Sequence, residues 1–227
     1  MIIAYEKDGV RMSEDPACLE IRFGTEVAPA DFCFVFENIQ EEEDVKGDTA
    51  NAYNKVGDTA HRSGNLKKAE LVMKSIDYSH EEFEIAGEDA YNFQGVNNPH
   101  NLAQVKPGEA VLDLGSGLGV DSFIAAARTG ESGTVTGLDL AKSEVVHANK
   151  RAKERGVSDR VKFVQGDMEK MSFDENSFDV VLSNGAFCLA PNKKAAFSEI
   201  FRVLKPGGRF SVSTSVMKVK IDQADGK

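Results

Sequence analysis

Three glycines on alternate positions, Gly115, Gly117 and Gly119, follow a short apolar run that contains one carboxylate, Asp113. The apolar run, Ala110–Leu114, has the length and branching of a buried strand, and the segment after the glycines has the spacing of a helix. Glycine lets a ligand approach the backbone closely, and a strand that turns directly into a helix presents backbone N–H groups. The pattern therefore predicts a site for an anion or for the polar tail of a ligand.

The spacing of the glycines narrows the choice of ligand. A dinucleotide-binding turn reads G-x-G-x-x-G, in which the third glycine allows close packing of helix on strand beneath a pyrophosphate. Here Val120 occupies that third position, and the last glycine comes one residue earlier. Asp113 lies two residues before the first glycine, where a carboxylate suits a cationic amine better than a pyrophosphate. The stretch resembles motif I of the class I S-adenosylmethionine-dependent methyltransferases.

Other strand ends carry polar residues at the same edge of the predicted sheet, where ligands of open parallel sheets bind. Asp139 follows Gly119 by 20 residues; its carboxylate can accept both hydroxyls of a ribose or cap the next helix. The resemblance implies that Asp167 accepts from the amine of adenine and that Met168 covers the ring, with helix capping as the alternative for Asp167. The expected S-adenosylmethionine-binding residues are Asp113, Gly115, Ser116, Gly117, Gly119, Asp139, Leu140, Gly166, Asp167, Met168 and Ser183.

The strand predicted at 178–183 runs into the position from which family members face the methyl group. The substrate-pocket candidates are Asn184, Phe187 and Cys188, with Tyr53 and Tyr91 from the helices before the glycine turn. For the two tyrosines, packing of a helix onto the sheet is an equal alternative.

Within the family, the likeness is to enzymes that act on small molecules, including arsenite methyltransferases. The stretches 111–121, 178–184 and 202–209 carry it. Arsenite itself is disfavoured, because Gly185 stands where the resembling enzymes have a cysteine. The other two cysteines, Cys18 and Cys33, lie far away in the N-terminal section.

No residue is assigned to catalysis. Displacement at a sulfonium has an activated leaving group, so the protein mainly aligns the acceptor and excludes water. No metal-ligand cluster stands out in the sequence. Of the four histidines, His100 near the glycine turn is the candidate base, and His147 is expected to face solvent from a helix.

Strand and helix patterns alternate along the second part of the chain. This predicts an α/β fold, a Rossmann-like doubly wound and mostly parallel sheet with helices on both faces, plus an N-terminal α+β extension. The predicted strands are 110–114, 134–139, 161–166, 178–183 and 209–214, and the predicted helices are 120–128, 142–155 and 193–204.

Charge is distributed unevenly along the chain. Residues 1–90 carry 9 Lys and Arg against 21 Asp and Glu, a net charge of −12, whereas the remaining residues carry 18 against 16, a net charge of +2. We therefore predict a strand-rich extension with an acidic linker at 1–44, with strands at 2–7, 18–23 and 31–37. A helical cap follows at 45–94, broken near residues 63–65, and then a methyltransferase core at 95–227.

The resemblance implies two further strands after the fifth, and no pattern for them follows residue 214. Either the chain is a fragment, or residues 1–40 fold back to cover that edge, or a partner such as a second copy of the chain covers it. The net negative charge disfavours nucleic acid as a partner. No apolar run is long enough to span a membrane. The three scattered cysteines favour the cytoplasm as the location. The alternatives to a small-molecule methyltransferase are a cofactor-binding but inactive regulatory or scaffold protein and, less favoured, an NAD-dependent oxidoreductase.

Overall fold

The computed structural model describes residues 2–6, 42–59 and 65–215. The strands predicted at 18–23 and 31–37, together with Cys18 and Cys33, lie outside these ranges. The strands are β1 (Ile2–Glu6), β2 (Ala110–Leu114), β3 (Thr134–Asp139), β4 (Val161–Gln165), β5 (Phe178–Asn184) and β6 (Leu204–Ser213). The helices are α1 (Glu42–Thr59), α2 (Leu66–Ser75), α3 (His80–Ala86), α4 (His100–Ala103), α5 (Val120–Thr129), α6 (Lys142–Glu154) and α7 (Lys193–Val203), with short 3-10 helices at Gly87–Asn92 and Phe187–Leu189.

The strands form one sheet in the order β1-β6-β5-β2-β3-β4. β6, β5, β2, β3 and β4 are parallel, so the predicted doubly wound α/β fold is confirmed. The order reverses at β2, which pairs with both β3 and β5. In such sheets the crevice beside the reversal, at the carboxyl ends of the strands, receives the ligand.

Apolar side chains of β2 alternate between two cores, because successive residues of a strand point to opposite faces. Leu112 packs on one face with Ile200 of α7, and Val111 packs on the other with Phe123 of α5. A third cluster joins α2 and α3 to the outer side of α5, through side chains that include Met73. The helices before the glycine turn are therefore fastened to the sheet through α5.

β1 covers the outer edge of β6. It runs antiparallel to β6, with Ile2 opposite Ser213 and Glu6 opposite Arg209. Part of residues 1–40 therefore folds back over the edge of β6, as expected.

Three local expectations are wrong. The acidic run expected to be a linker lies in part within a helix, because α1 begins at Glu42. β6 begins at Leu204, with an irregularity in its register before Arg209, so the expected helix-to-strand turn lies inside the strand. His147 is buried in α6 and does not face solvent. The division of the chain at residues 44 and 94 stays a prediction, with the first boundary falling inside α1.

No helix within the described ranges is long and apolar enough to cross a membrane.

Candidate functional site

A cavity opens at the carboxyl ends of the strands, beside the reversal of strand order. The space between its walls, counted together with the open solvent at its mouth, is about 1040 Å³. The predicted site residues that line it are Gly115, Ser116, Gly117, Asp139, Leu140, Gly166, Asp167, Met168, Asn184 and Tyr53. Most of the predicted cofactor residues thus lie around one space.

The turn between β2 and α5 forms one wall of the cavity. Gly115, Gly117 and Gly119 all have positive φ, at 69°, 50° and 91°. A Cβ on Gly115 would lie 2.0 Å from the Cβ of Ala186, so a side chain has no room there. Glycine is therefore required both by the backbone conformation and by the close approach of the segment after β5.

The first three N–H groups of the turn already have partners in the protein, contrary to expectation. Gly115 and Ser116 donate to the carbonyl oxygen of Leu138 at 2.8 and 3.1 Å. Gly117 donates to Oδ2 of Asp139 at 2.8 Å. The turn is thereby fastened to the end of β3, and at Gly115 and Gly117 it offers a ligand a surface without side chains.

Asp139 lies at the tip of β3 and is 9% exposed. Its Oδ2 accepts from Gly117, and its Oδ1 accepts from the N–H of Ala141 at 2.8 Å. Burial raises the pKa of this carboxyl, while hydrogen bonds from Ala141, Gly117 and Leu140 oppose that rise. A carboxylate oxygen can accept more than one hydrogen bond, so both oxygens retain capacity for a ligand.

The far wall carries an ion-pair cluster between α1 and the segment after β4. Nζ of Lys46 lies 2.7 Å from Oδ2 of Asp167 and 2.6 Å from Oε2 of Glu169. Burial alone would lower the pKa of Lys46, but its hydrogen bonds to the two acids raise it overall. Helix α1 is thus held over the cavity at the point where the adenine ring was expected.

The model of a family described as "Methyltransferase domain" matches residues 105–225. The chain belongs to this family.

The methyltransferase domain resembles curated proteins over part of their length. It is 44% identical to sterol 24-C-methyltransferase ERG6B of Gibberella zeae over 56% of this chain and 32% of that protein. It is 38% identical to the arsenite methyltransferase of Halobacterium salinarum over 54% of this chain and 32% of that protein. The chain thus spans about a third of the length of these relatives. Among solved structures, the MccD protein covers 55% of this chain and 54% of its own, with 25% identity and a TM-score of 0.50.

Six predicted site residues of the methyltransferase domain do not line the cavity. Asp113 is buried behind the turn, where its Oδ2 accepts from Oγ of Ser122 at 2.6 Å. Oγ of Ser183 donates to the carbonyl oxygen of Leu114 at 2.9 Å. Both therefore support the turn from beneath it, as does Gly119, where a Cβ would lie 2.6 Å from the ring of Phe163.

The other three are substrate-pocket candidates. Phe187 is buried in the core, with its ring centroid 4.7 Å from that of Phe197. Sγ of Cys188 donates to the carbonyl oxygen of Gly185, 3.2 Å away. Tyr91 is half-buried in a 3-10 helix, and the cavity is lined instead by the residues that follow it, Asn92–Gly95. For these three candidates, the sequence located segments beside the cavity but not the side chains that line it.

A hydrogen-bonded network at the floor of the cavity was not predicted. Oδ1 of Asp121 accepts from the hydroxyl of Tyr78 at 2.6 Å and lies 3.1 Å from Nε2 of His100. His100 is fully buried and does not line the cavity, so it is not a base in contact with substrate. Asp121 stands between His100 and the cavity. A carboxylate in the first turn of a helix ordinarily indicates only a favourable dipole interaction, so the sequence held no signal for this role.

Asn184 completes that network. Its Nδ2 donates to Oδ2 of Asp121 and to the hydroxyl of Tyr78, both at 2.9 Å. Its Oδ1 accepts from the N–H groups of Val96 at 2.9 Å and Asn97 at 3.4 Å. The amide has therefore used both of its donors and both lone pairs of its oxygen. Asn184 lines the cavity, but its polar groups hold the segment before β2 against the end of β5.

The cavity has polar groups that the described protein leaves unsatisfied. Oγ of Ser116 is buried without a hydrogen-bond partner among the described residues. Glu144 also lines the cavity, is 3% exposed, and was not predicted as a site residue. Buried polar groups are normally hydrogen-bonded, so the hydroxyl of Ser116 indicates a polar ligand, and the carboxyl of Glu144 at the cavity wall is available to the same ligand. Together with the bare glycine turn, they fit the amino-acid tail and ribose of S-adenosylmethionine.

The described residues contain no group of three or more His, Cys, Asp or Glu side chains placed to hold a metal ion.

Proposed function

We propose that this methyltransferase domain transfers a methyl group from S-adenosylmethionine to a small-molecule acceptor. The observation that carries the proposal is the carboxyl of Asp139, buried at the cavity wall and oriented by two backbone N–H groups, one of them from the glycine turn. The names of the relatives, a sterol and an arsenite methyltransferase, support a small molecule as acceptor.

The bound cofactor would supply a methyl group on a sulfonium, an already activated leaving group. The protein's part is to hold the reactants and to exclude water. Asp139 would accept from the ribose hydroxyls, and the bare surface at Gly115 and Gly117 would admit the amino-acid tail. Asp167 and Met168, at the opposite wall, would contact the adenine.

The charge of the cavity bears on the acceptor. Among the described residues, the lining includes the carboxyl groups of Asp121, Asp139, Asp167 and Glu169 and one basic side chain, Lys46, which already pairs with two of them. Such a lining favours the cationic cofactor and disfavours a second ligand that carries a negative charge. We therefore propose a neutral or cationic acceptor.

Arsenite is not favoured as that acceptor. The thiol nearest to the expected methyl position, Cys188, does not line the cavity and donates to a backbone carbonyl. We propose no nucleic acid or membrane as a partner, in view of the net charge of −10, and the cytoplasm as the location, in view of the three scattered cysteines.

The proposal is tested by titrating the protein with S-adenosylhomocysteine in a calorimeter. We expect binding by the natural protein and a loss of about 1–3 kcal/mol in Asp139→Ala, because the ribose hydroxyls would lose their acceptor. Asp159→Ala, a change of one exposed carboxylate, is the matched control and should bind normally. No binding by the natural protein, or equal affinity in Asp139→Ala, would contradict the proposal.

A further inference from the structure

Glu144 is a buried acid without a hydrogen bond to any residue that the structure describes. It lies in the first turn of α6, five residues after Asp139, and its exposed fraction is 3%. Its two carboxyl oxygens each lie 3.9 Å from the position that a Cβ on Gly117 would take. The carboxyl therefore lies against the glycine turn and lines the cavity beside Asp139.

A carboxyl that is largely removed from water and has no protein partner is unfavourable in either protonation state, and a ligand in the cavity that it lines would supply the missing partner. Among the residues that the structure describes, no cation pairs with it. The titratable groups that face it are Asp139 from the end of β3 and Tyr53 from α1.

Burial, with the charge of Asp139 added, raises the pKa of Glu144 to about 8. At neutral pH the side chain is therefore mostly a neutral acid, with one O–H donor and acceptor oxygens. Asp139 beside it offers remaining lone pairs but no donor while it is ionised. The two groups together can satisfy both the donors and the acceptors of two adjacent hydroxyls.

We propose that Glu144 is a second ribose-binding acid of this site, acting beside Asp139 and selecting a nucleoside that carries both ribose hydroxyls. The inference rests on the proposed function, since it assigns a residue to the cofactor of that reaction. A vicinal diol suits the pair better than an ammonium group, which would require Glu144 to ionise where it is buried.

The first experiment measures the affinity for S-adenosylhomocysteine at pH 7 in Glu144→Leu and Glu144→Gln. We expect Glu144→Leu to bind about tenfold or more weakly, since a ligand hydroxyl loses its partner, and Glu144→Gln to bind more tightly than Glu144→Leu. Glu154→Gln, which alters an exposed acid near the other end of α6, is the matched control and should bind as the natural protein does.

Two further readouts separate a ligand contact from a structural role. The melting temperature of ligand-free Glu144→Leu should equal or exceed that of the natural protein, because the buried acid has no partner in the described protein to lose. S-adenosylhomocysteine lacking either the 2′- or the 3′-hydroxyl should bind the natural protein less tightly. In Glu144→Leu, removal of the hydroxyl that Glu144 contacts in the natural protein should weaken binding no further.

The outcomes are distinct. If the natural protein does not bind S-adenosylhomocysteine, the proposed function falls and this inference falls with it. If the natural protein binds but Glu144→Leu binds equally well, only the role of Glu144 is overturned. Additive losses from Glu144→Leu and from each hydroxyl deletion would also overturn it, as would a lower melting temperature of ligand-free Glu144→Leu.

Discussion

At the scale of single residues, the site depends on acids that are held away from water. Asp113 is buried beneath the glycine turn, and burial together with the charge of Asp121 raises its pKa to about 8, against the opposing hydrogen bond from Ser122. The sequence singled out Asp113 as a partner for an amine of the ligand. The structure places it behind the turn, where its hydrogen bond to Ser122 joins β2 to α5.

This burial predicts a pH dependence of stability. A carboxyl whose pKa is about 8 in the folded protein, against an ordinary pKa of 3.8, binds a proton more tightly in the folded state. Its contribution is therefore present at low pH and is lost as the pH rises towards 8, with a slope approaching about 1.4 kcal/mol per pH unit. Asp113→Asn, neutral at every pH, should show a shallower fall in unfolding free energy between pH 5 and 8 in urea titrations.

Asp159→Asn changes one exposed carboxylate and is the control for that measurement. An unchanged slope in Asp113→Asn would show that this carboxyl is ionised in the folded protein at neutral pH.

At the scale of elements, the turn between β2 and α5 is the part on which the cavity depends. Its glycines do two different things. Gly115 gives the segment after β5 room to pass, and Gly119 allows Phe163 to pack beneath α5. Alternate glycines in the sequence indicated a close approach of a ligand to the backbone, but they did not show that the protein's own segments approach it as well.

Gly115→Ala should therefore lower the free energy of unfolding by more than the same substitution at an uncrowded glycine of similar backbone conformation. Gly156 is the matched control, because its φ of 68° resembles the 69° of Gly115 and a Cβ there would meet nothing within 4 Å. We expect Gly156→Ala to lose about 1–2 kcal/mol of unfolding free energy from backbone strain, and Gly115→Ala about 1–3 kcal/mol more from overlap with Ala186.

Adding Ala186→Gly to Gly115→Ala should recover part of the additional loss in the same denaturant titrations. Equal losses in the two single variants would show that the segment after β5 moves aside easily.

At the scale of the whole molecule, the sheet could be predicted because its signals are local. Glycines, β-branched runs and helical spacing gave four of the five parallel strands to within one residue; β6 begins five residues earlier than expected. The covering of β6 by part of residues 1–40 was an inference from a missing edge, and the structure shows that Ile2–Glu6 is the covering strand.

Contacts between distant segments were not readable from the sequence. Asn184 joins Tyr78, Asp121 and Val96, residues separated from it by 106, 63 and 88 positions. Glu144 resembles any acid in the first turn of a helix until the structure places Gly117 against it. Sequence patterns report the neighbours of a residue along the chain, whereas a site also depends on neighbours in space.

The most direct test of the account is a crystal structure of the protein with S-adenosylhomocysteine. The account predicts the nucleoside at the carboxyl ends of the strands, with its ribose hydroxyls within hydrogen-bond distance of Asp139 and its amino-acid tail over Gly115 and Gly117. A ligand bound elsewhere, or in this cavity with its ribose away from Asp139, would contradict it.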